Sequence, residues 1–196
     1  MRPSVRSAAA LPALALLLAS PASAHILQDA GGFGSGLAHP LTGLDHFLAM
    51  FAVGLWGAQI GGRSVWALPA TFPLVMAAAA LAGMAGLPLG HVEVGIALSI
   101  LALGLLIALR LPLPEVLALV VVGTFAVFHG YAHGVELPLS ADPALYAIGF
   151  VLATGAIHLA GIAVGLLIGR PFGGRLAQAL GGAIALAGVG FLVAVP

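Results

Sequence analysis

Apolar residues run along this chain in stretches of membrane length, and the breaks between them are short and turn-like. Such breaks occur at Gly61-Gly62-Arg63, Gly86-Leu87-Pro88, Arg110-Leu111-Pro112-Leu113-Pro114, Leu137-Pro138 to Asp142, and Arg170-Pro171-Phe172-Gly173-Gly174. They divide the chain into about six spans, each near the roughly 20 residues that cross about 30 Å of hydrocarbon. The spans read as 40–60, 65–85, 91–109, 115–131, 143–168 and 176–195. No linker is long enough for a second domain. Glycines inside the spans, such as Gly54 and Gly57, Gly95 and Gly104, Gly161 and Gly165, let helices approach closely where no hydrophobic effect drives them together. The expected fold is all-α, a polytopic membrane helix bundle.

The segment ahead of these spans has a different pattern. Arg2 and Arg6 precede an apolar stretch too short to cross a bilayer, and Ala22-Ser23-Ala24 forms an A-x-A cleavage site. Residues 1–24 therefore read as a cleaved signal peptide and 25–196 as a single transmembrane helical domain, with His25 as the mature, outward-facing N-terminus. On that topology the inner loops carry Arg63, Arg110, Arg170 and Arg175, and the outer segments carry no arginine, as the positive-inside rule requires. Glu115 is the one inner acid, expected to pair with Arg110 or to open a helix.

Composition agrees with the pattern and excludes other classes. Hydrophobic residues make up 62% of the chain and charged residues 6%, and mean hydropathy is +1.20. Lysine is absent and the formal net charge is zero, so no basic patch exists for nucleic acid or anionic lipid. Cysteine is absent too, which removes disulfides, iron–sulfur clusters and thiolate metal sites.

Against this apolar background two strings stand out: His39-Pro40-Leu41-Thr42-Gly43-Leu44-Asp45-His46 and Phe128-His129-Gly130-Tyr131-Ala132-His133-Gly134-Val135-Glu136. A charged side chain near the bilayer centre costs about 2.5–3.5 kcal/mol on insertion scales, so a group of imidazoles and carboxylates there is a functional-site hypothesis by default. Pro40 suits the first turn of a helix, which puts His39 at the outer mouth and His46, seven residues on, on nearly the same face. His129, His133 and Glu136 are spaced by four and three and form one stripe on the fourth span. That span runs outward, so both strings lie at one level. Imidazole with carboxylate suits Ni, Co, Zn or Fe. His39 with His91 or Glu93 would capture a divalent ion at the mouth; Asp45, His46, His129, His133 and Glu136 would form a dehydrating central site.

Other histidines have plainer readings. His158, alone within the fifth span, is more readily a helix–helix hydrogen-bonding residue than a ligand. His91 and Glu93 sit at a helix start, where capping or solvation competes with ligation. His25 could chelate through its imidazole and a new α-amine with Asp29 nearby, or be merely the residue after the cleavage site. The inner half shows no ligand series.

The two strings resemble the H-x5-D-H and F-H-G-x-A-H-G-x-E motifs of the HupE/UreJ family, whose signal peptide and small multi-span body also match the whole length of this chain. The resemblance implies a nickel permease, or cobalt in some members, that serves hydrogenase or urease maturation and needs these histidines and acids for transport. It further implies a bacterial inner (cytoplasmic) membrane location, with the mature N-terminus periplasmic. The partners to expect are the divalent ion, the lipid bilayer and a cytoplasmic metallochaperone of either maturation system, with no permanently bound cofactor and no enzyme activity. From the residues alone, an intramembrane metal-dependent hydrolase or hydroxylase and a haem protein with paired histidines stay open as alternatives. The oligomeric state is open as well.

Overall fold

The computed structural model describes residues 31–111, 113–137, 142–169 and 171–195; the signal-peptide segment, His25 and Asp29 lie outside these. The described chain is helical: α1 (Gly31–Thr42), α2 (Leu44–Ile60), α3 (Ser64–Met84), α4 (Val92–Leu109), α5 (Glu115–Val135), α6 (Pro143–Ile168), a short 3-10 turn (Pro171–Gly174) and α7 (Arg175–Ala194). Five of these helices are long and apolar enough to cross a membrane, and the count is six when α1 and α2, a pair bent by 77°, are taken together as one broken span. Large apolar side chains such as Leu74, Leu81, Leu167, Leu186 and Val193 face outward, the pattern of a bundle whose solvent is lipid. This is an integral membrane protein.

Local sequence explains where the helices start and stop. Asp142 caps α6 by accepting from the Ala144 and Leu145 amides, both at 2.9 Å, and Pro143 occupies the first helical position, where a missing N–H costs nothing. Two glutamines reach carbonyls at the end of α4: Gln59 donates to Ile107 O, which also accepts from the Arg110 amide, and Gln178 to Ala108 O, both glutamine bonds at 3.0 Å. Arg110, in left-handed backbone just after α4, donates to Gly173 O at 2.7 Å. Glu115 does open a helix, but its carboxylate faces Arg63 at 3.8 Å rather than Arg110. Arg110 is already committed to the turn before α7.

The first span departs from the sequence expectation. Pro40 lies inside α1, not at its start, and the helix ends three residues later at Gly43. Gly43 adopts extended backbone (φ −79°, ψ 101°) and α2 begins afresh at Leu44. α1 runs beside the beginning of α6, with Gly36 against Tyr146; α2 continues beside its later turns, with Gly54 against His158 O and Gly161 against Phe51 O. The break therefore falls part-way along a span. Discontinuous helices at membrane depth are tolerated where the freed backbone lines a protein-enclosed site, and they recur at ion sites of transporters.

Buried residues on every side of α2, from Ala49 to Gly57, make it the central helix, packed on α6, α3 and α4. α5 packs on α3 and α4. The core is completed by Leu68, Phe72, Ile100, Leu103 and Val122, all fully buried. Gly130 and Gly134 press the α5 backbone onto α3, and His129 reaches Phe72 of that helix with ring centroids 5.3 Å apart. A Cβ at either glycine would collide with the carbonyl oxygen of Met76 or Ala80.

Candidate metal centre

The helix break and the α5 stripe meet at one place. Ring centroids of His46 lie 4.8 Å from His129 and 4.5 Å from His133, and His39 lies 4.8 Å from His133 and 6.0 Å from His46. His39 and His46 share this site not because one helix face carries both but because the chain turns between them at Gly43. Beside His39, Glu136 caps the C-terminal end of α5, with its Oε2 3.8 Å from His39 Nε2. One ligand atom each from His39, His133 and Glu136 fall within 4.8 Å of one another. Burial deepens along the cluster: the Glu136 side chain is 49% exposed, His39 32% and His46 8%, and His129 is fully enclosed.

Hydrogen bonds set the direction of two imidazole lone pairs. Asp45 Oδ1 accepts from the His46 backbone N–H at 2.7 Å and from its ring Nδ1 at 2.8 Å. A carboxylate only accepts, so Nδ1 carries the proton and Nε2 keeps the lone pair. On α5, His129 Nε2 lies 2.9 Å from Ser99 Oγ. The Ser99 hydroxyl proton already goes to Ile96 O at 2.6 Å, so the serine oxygen accepts and His129 Nε2 donates. The lone pair of His129 is then on Nδ1. His46 Nε2, His129 Nδ1 and both nitrogens of His133 are buried with no hydrogen-bond partner among the described residues. Each buried polar atom left unpaired costs about 1–3 kcal/mol, so this concentration calls for a compensating ligand. A dication can accept at most one lone pair from each imidazole and leaves the N–H of His133 to another acceptor. Among the described residues, the three ligand atoms drawn close enough for one ion are those of His39, His133 and Glu136, and a carboxylate-bound imidazole such as His46 is the usual arrangement behind a metal-ligating histidine. Burial raises the Glu136 carboxyl above the ordinary glutamate range, and the nearby Glu93 and Asp45 add to the rise against a lowering effect of His46.

Of the remaining sequence candidates, Glu93 and Asp45 border a cavity of about 160 Å³ between α2, α4 and α7, so Glu93 neighbours the cluster from the far side of Asp45. His91 is exposed at the N-cap of α4 in left-handed backbone (φ 55°), and among the described residues no ring contact or hydrogen bond joins it to the cluster. His158 is buried beyond His129, with Phe72 between the two rings at 5.3 Å from His129 and 5.6 Å from His158. Two participants escape the sequence reading. Ser99 is the single hydroxyl of α4, and a lone polar side chain in an apolar run is the available signal. Phe72 looks like any core aromatic.

The family model described as HupE / UreJ protein matches residues 13–191. A curated relative, Protein HupE of Rhizobium leguminosarum bv. viciae, is 45% identical over 179 residues, covering 91% of this chain and 94% of the relative. The chain belongs to the HupE/UreJ family. Both histidine–acid strings lie inside the matched region, and the helix-rich bundle described above is thus the architecture on which this family member carries them. No solved structure matches the chain.

Proposed function

We propose that this HupE/UreJ family member conducts a divalent transition-metal ion across the membrane, nickel ahead of cobalt, in support of hydrogenase or urease maturation. The observation that carries the reading is the set of orphaned imidazole nitrogens on His46, His129 and His133, two with their tautomers pinned by Asp45 and Ser99. Neutral imidazoles with carboxylates suit Ni and Co and bind Mg or Ca poorly. Glu136 and His39 receive the ion where the site is open, and His133 hands it to His46 and His129, where little water follows. His91 lies apart from this route, and Glu93 adds negative charge beside Asp45. The role is that of a carrier for the ion rather than a catalyst.

Energy for entry need not come from a nucleotide. A membrane potential is worth about 2.3 kcal/mol per elementary charge per 100 mV, and a dication entering a negative interior gains twice that. The arginines Arg63, Arg110 and Arg175 cluster in the turns and helix starts at the end away from the histidines, which supports an orientation with the histidine cluster outside and the N-terminus periplasmic in a bacterial inner membrane. A cytoplasmic metallochaperone would take the ion at the arginine end.

The test is metal flux into proteoliposomes with a trapped indicator, comparing Ni, Co, Zn and Mn with and without an imposed potential. Nickel entry that rises with inside-negative potential and disappears with His129→Ala is the expected result. A chain that holds nickel firmly but moves none across the sealed vesicle overturns conduction and leaves a storage or catalytic site.

A further inference from the structure

Helix α6 carries a second series of polar and ring groups. Tyr146, Phe150, Thr154 and His158 recur every four residues and so occupy one slowly turning face. All are buried. The series starts at the open end of the cluster, where Tyr146 and Phe150 lie 6.2 and 6.3 Å from His39 and Phe150 lies 4.3 Å from His133. It ends at His158, which meets the far side of the Phe72–His129 contact.

Along this face Tyr146 OH, Thr154 Oγ1 and His158 Nε2 are enclosed without a hydrogen-bond partner among the described residues. The threonine is the more informative of these. A helical Thr ordinarily satisfies its hydroxyl on a carbonyl three or four residues earlier, whereas Thr154 Oγ1 leaves both an acceptor and a proton unused, one helical turn before the residue that carries the orphaned nitrogen. The His158 carbonyl is pressed against Gly54, so α2 seals that side and leaves the side chains as the polar surface.

We propose that Thr154 Oγ1 and His158 Nε2 form a second station for the same divalent ion, one step beyond His129, with Phe72 dividing the two. The proposal rests on the conduction reading above. One imidazole and one neutral hydroxyl bind a dication more weakly than the imidazole–carboxylate cluster, and that asymmetry is useful. Conduction needs sites strong enough to enter and weak enough to leave, in sequence. A weak second station draws the ion past Phe72 and supplies the release step for which the sequence shows no ligand series.

The test uses full-length protein, assayed for Ni²⁺ binding in detergent by equilibrium dialysis, for Ni²⁺ flux in proteoliposomes, and for thermal stability. Thr154→Val keeps the shape and removes the hydroxyl; His158→Leu keeps most of the volume and removes the nitrogen. Both should bind Ni²⁺ at the cluster with wild-type affinity and melt no lower than wild type, yet conduct about tenfold more slowly, the scale on which loss of groups around a metal path reduces activity. Undiminished flux in Thr154→Val overturns the second station and assigns the orphaned atoms to a bridging water or to packing. Thr154→Val decides the matter even where His158→Leu fails to fold. Should wild-type protein itself neither bind nor pass Ni²⁺, it is the conduction reading that fails.

Discussion

Ser99 accepts the Nε2 proton of His129, because its own hydroxyl proton is committed to the Ile96 carbonyl. This single relationship fixes the tautomer of a buried histidine: with Nε2 protonated, the lone pair is on Nδ1, which is enclosed with no hydrogen-bond partner among the described residues. Asp45 does the same for His46 in the opposite sense, holding Nδ1 protonated and leaving Nε2 free. The two imidazoles thus keep their lone pairs on different nitrogens, Nε2 of His46 and Nδ1 of His129.

Removing either orienting group should weaken metal binding without removing a ligand. Ser99→Ala and Asp45→Asn are expected to lower Ni²⁺ affinity by about 10–100-fold, the usual cost of losing the partner behind a metal-bound histidine. Equilibrium dialysis on purified protein reads this directly. Affinity equal to wild type in both variants would mean that the tautomers do not govern the site.

Truncating a ligand and truncating the packing should separate cleanly. His133→Ala removes two nitrogens that are already unpaired, and His46→Ala or His129→Ala removes one unpaired nitrogen together with a single side-chain hydrogen bond to Asp45 or Ser99, so uptake should vanish while membrane abundance stays near normal. Gly130→Val does the reverse, driving a branched side chain into the Met76 carbonyl at the α3–α5 contact. Overpacking costs about 1–3 kcal/mol even among yielding side chains, and here the new side chain meets backbone, so folded protein should fall sharply. Immunoblots of membranes alongside uptake assays distinguish the two. Loss of abundance in the histidine variants would assign them a structural role.

Much of this site is legible in the sequence itself. The spacing of His129, His133 and Glu136 places them on one helix face whatever the tertiary fold, and uninterrupted apolar runs leave few alternatives to membrane spans. The break at Gly43 is not legible. Pro40 can start a helix or sit within one, and a single glycine three residues later reads as helix as easily as hinge, so the sequence relates His39 to His46 along a straight helix that does not exist. Their convergence survives because the bend, not the helical period, delivers it. Ser99 and Phe72 are hidden for another reason: each acquires its meaning from a histidine about 30 residues away or more, a tertiary pairing that no local pattern encodes. The Arg63–Glu115 pair is of the same kind.

Acid should compete with the metal. A protonated imidazole has no lone pair, and histidine titrates closer to neutrality than any other unperturbed side chain. At fixed free Ni²⁺, uptake is therefore expected to fall as the pH on the histidine side is lowered through the histidine range and below. The raised Glu136 carboxyl acts in the same direction, since it takes up a proton at higher pH than an ordinary glutamate and so loses its charge earlier on acidification. Flux measured at stepped external pH, with internal pH clamped, checks the sign. Uptake that increases with outside acidity would point to proton-coupled import instead.

Gly43 offers a test of the broken span itself. Its backbone (φ −79°, ψ 101°) is open to any residue, so Gly43→Ala should fold and insert normally. A Cβ there would nevertheless sit 3.2 Å from Asp45 Oδ1 and 3.5 Å from His46 Nδ1. The carboxylate must give way by a few tenths of an ångström, and it is the group that aims His46. Affinity for Ni²⁺ should drop by about tenfold, toward the lower end of what loss of an orienting carboxylate costs, with abundance and melting temperature near wild type. Gly43→Leu should add a steric block at the same place and deepen the loss. If Gly43→Ala instead destabilises the protein while the fraction that folds binds Ni²⁺ normally, the glycine serves the bend alone and the hydrogen bond from His46 to Asp45 tolerates displacement.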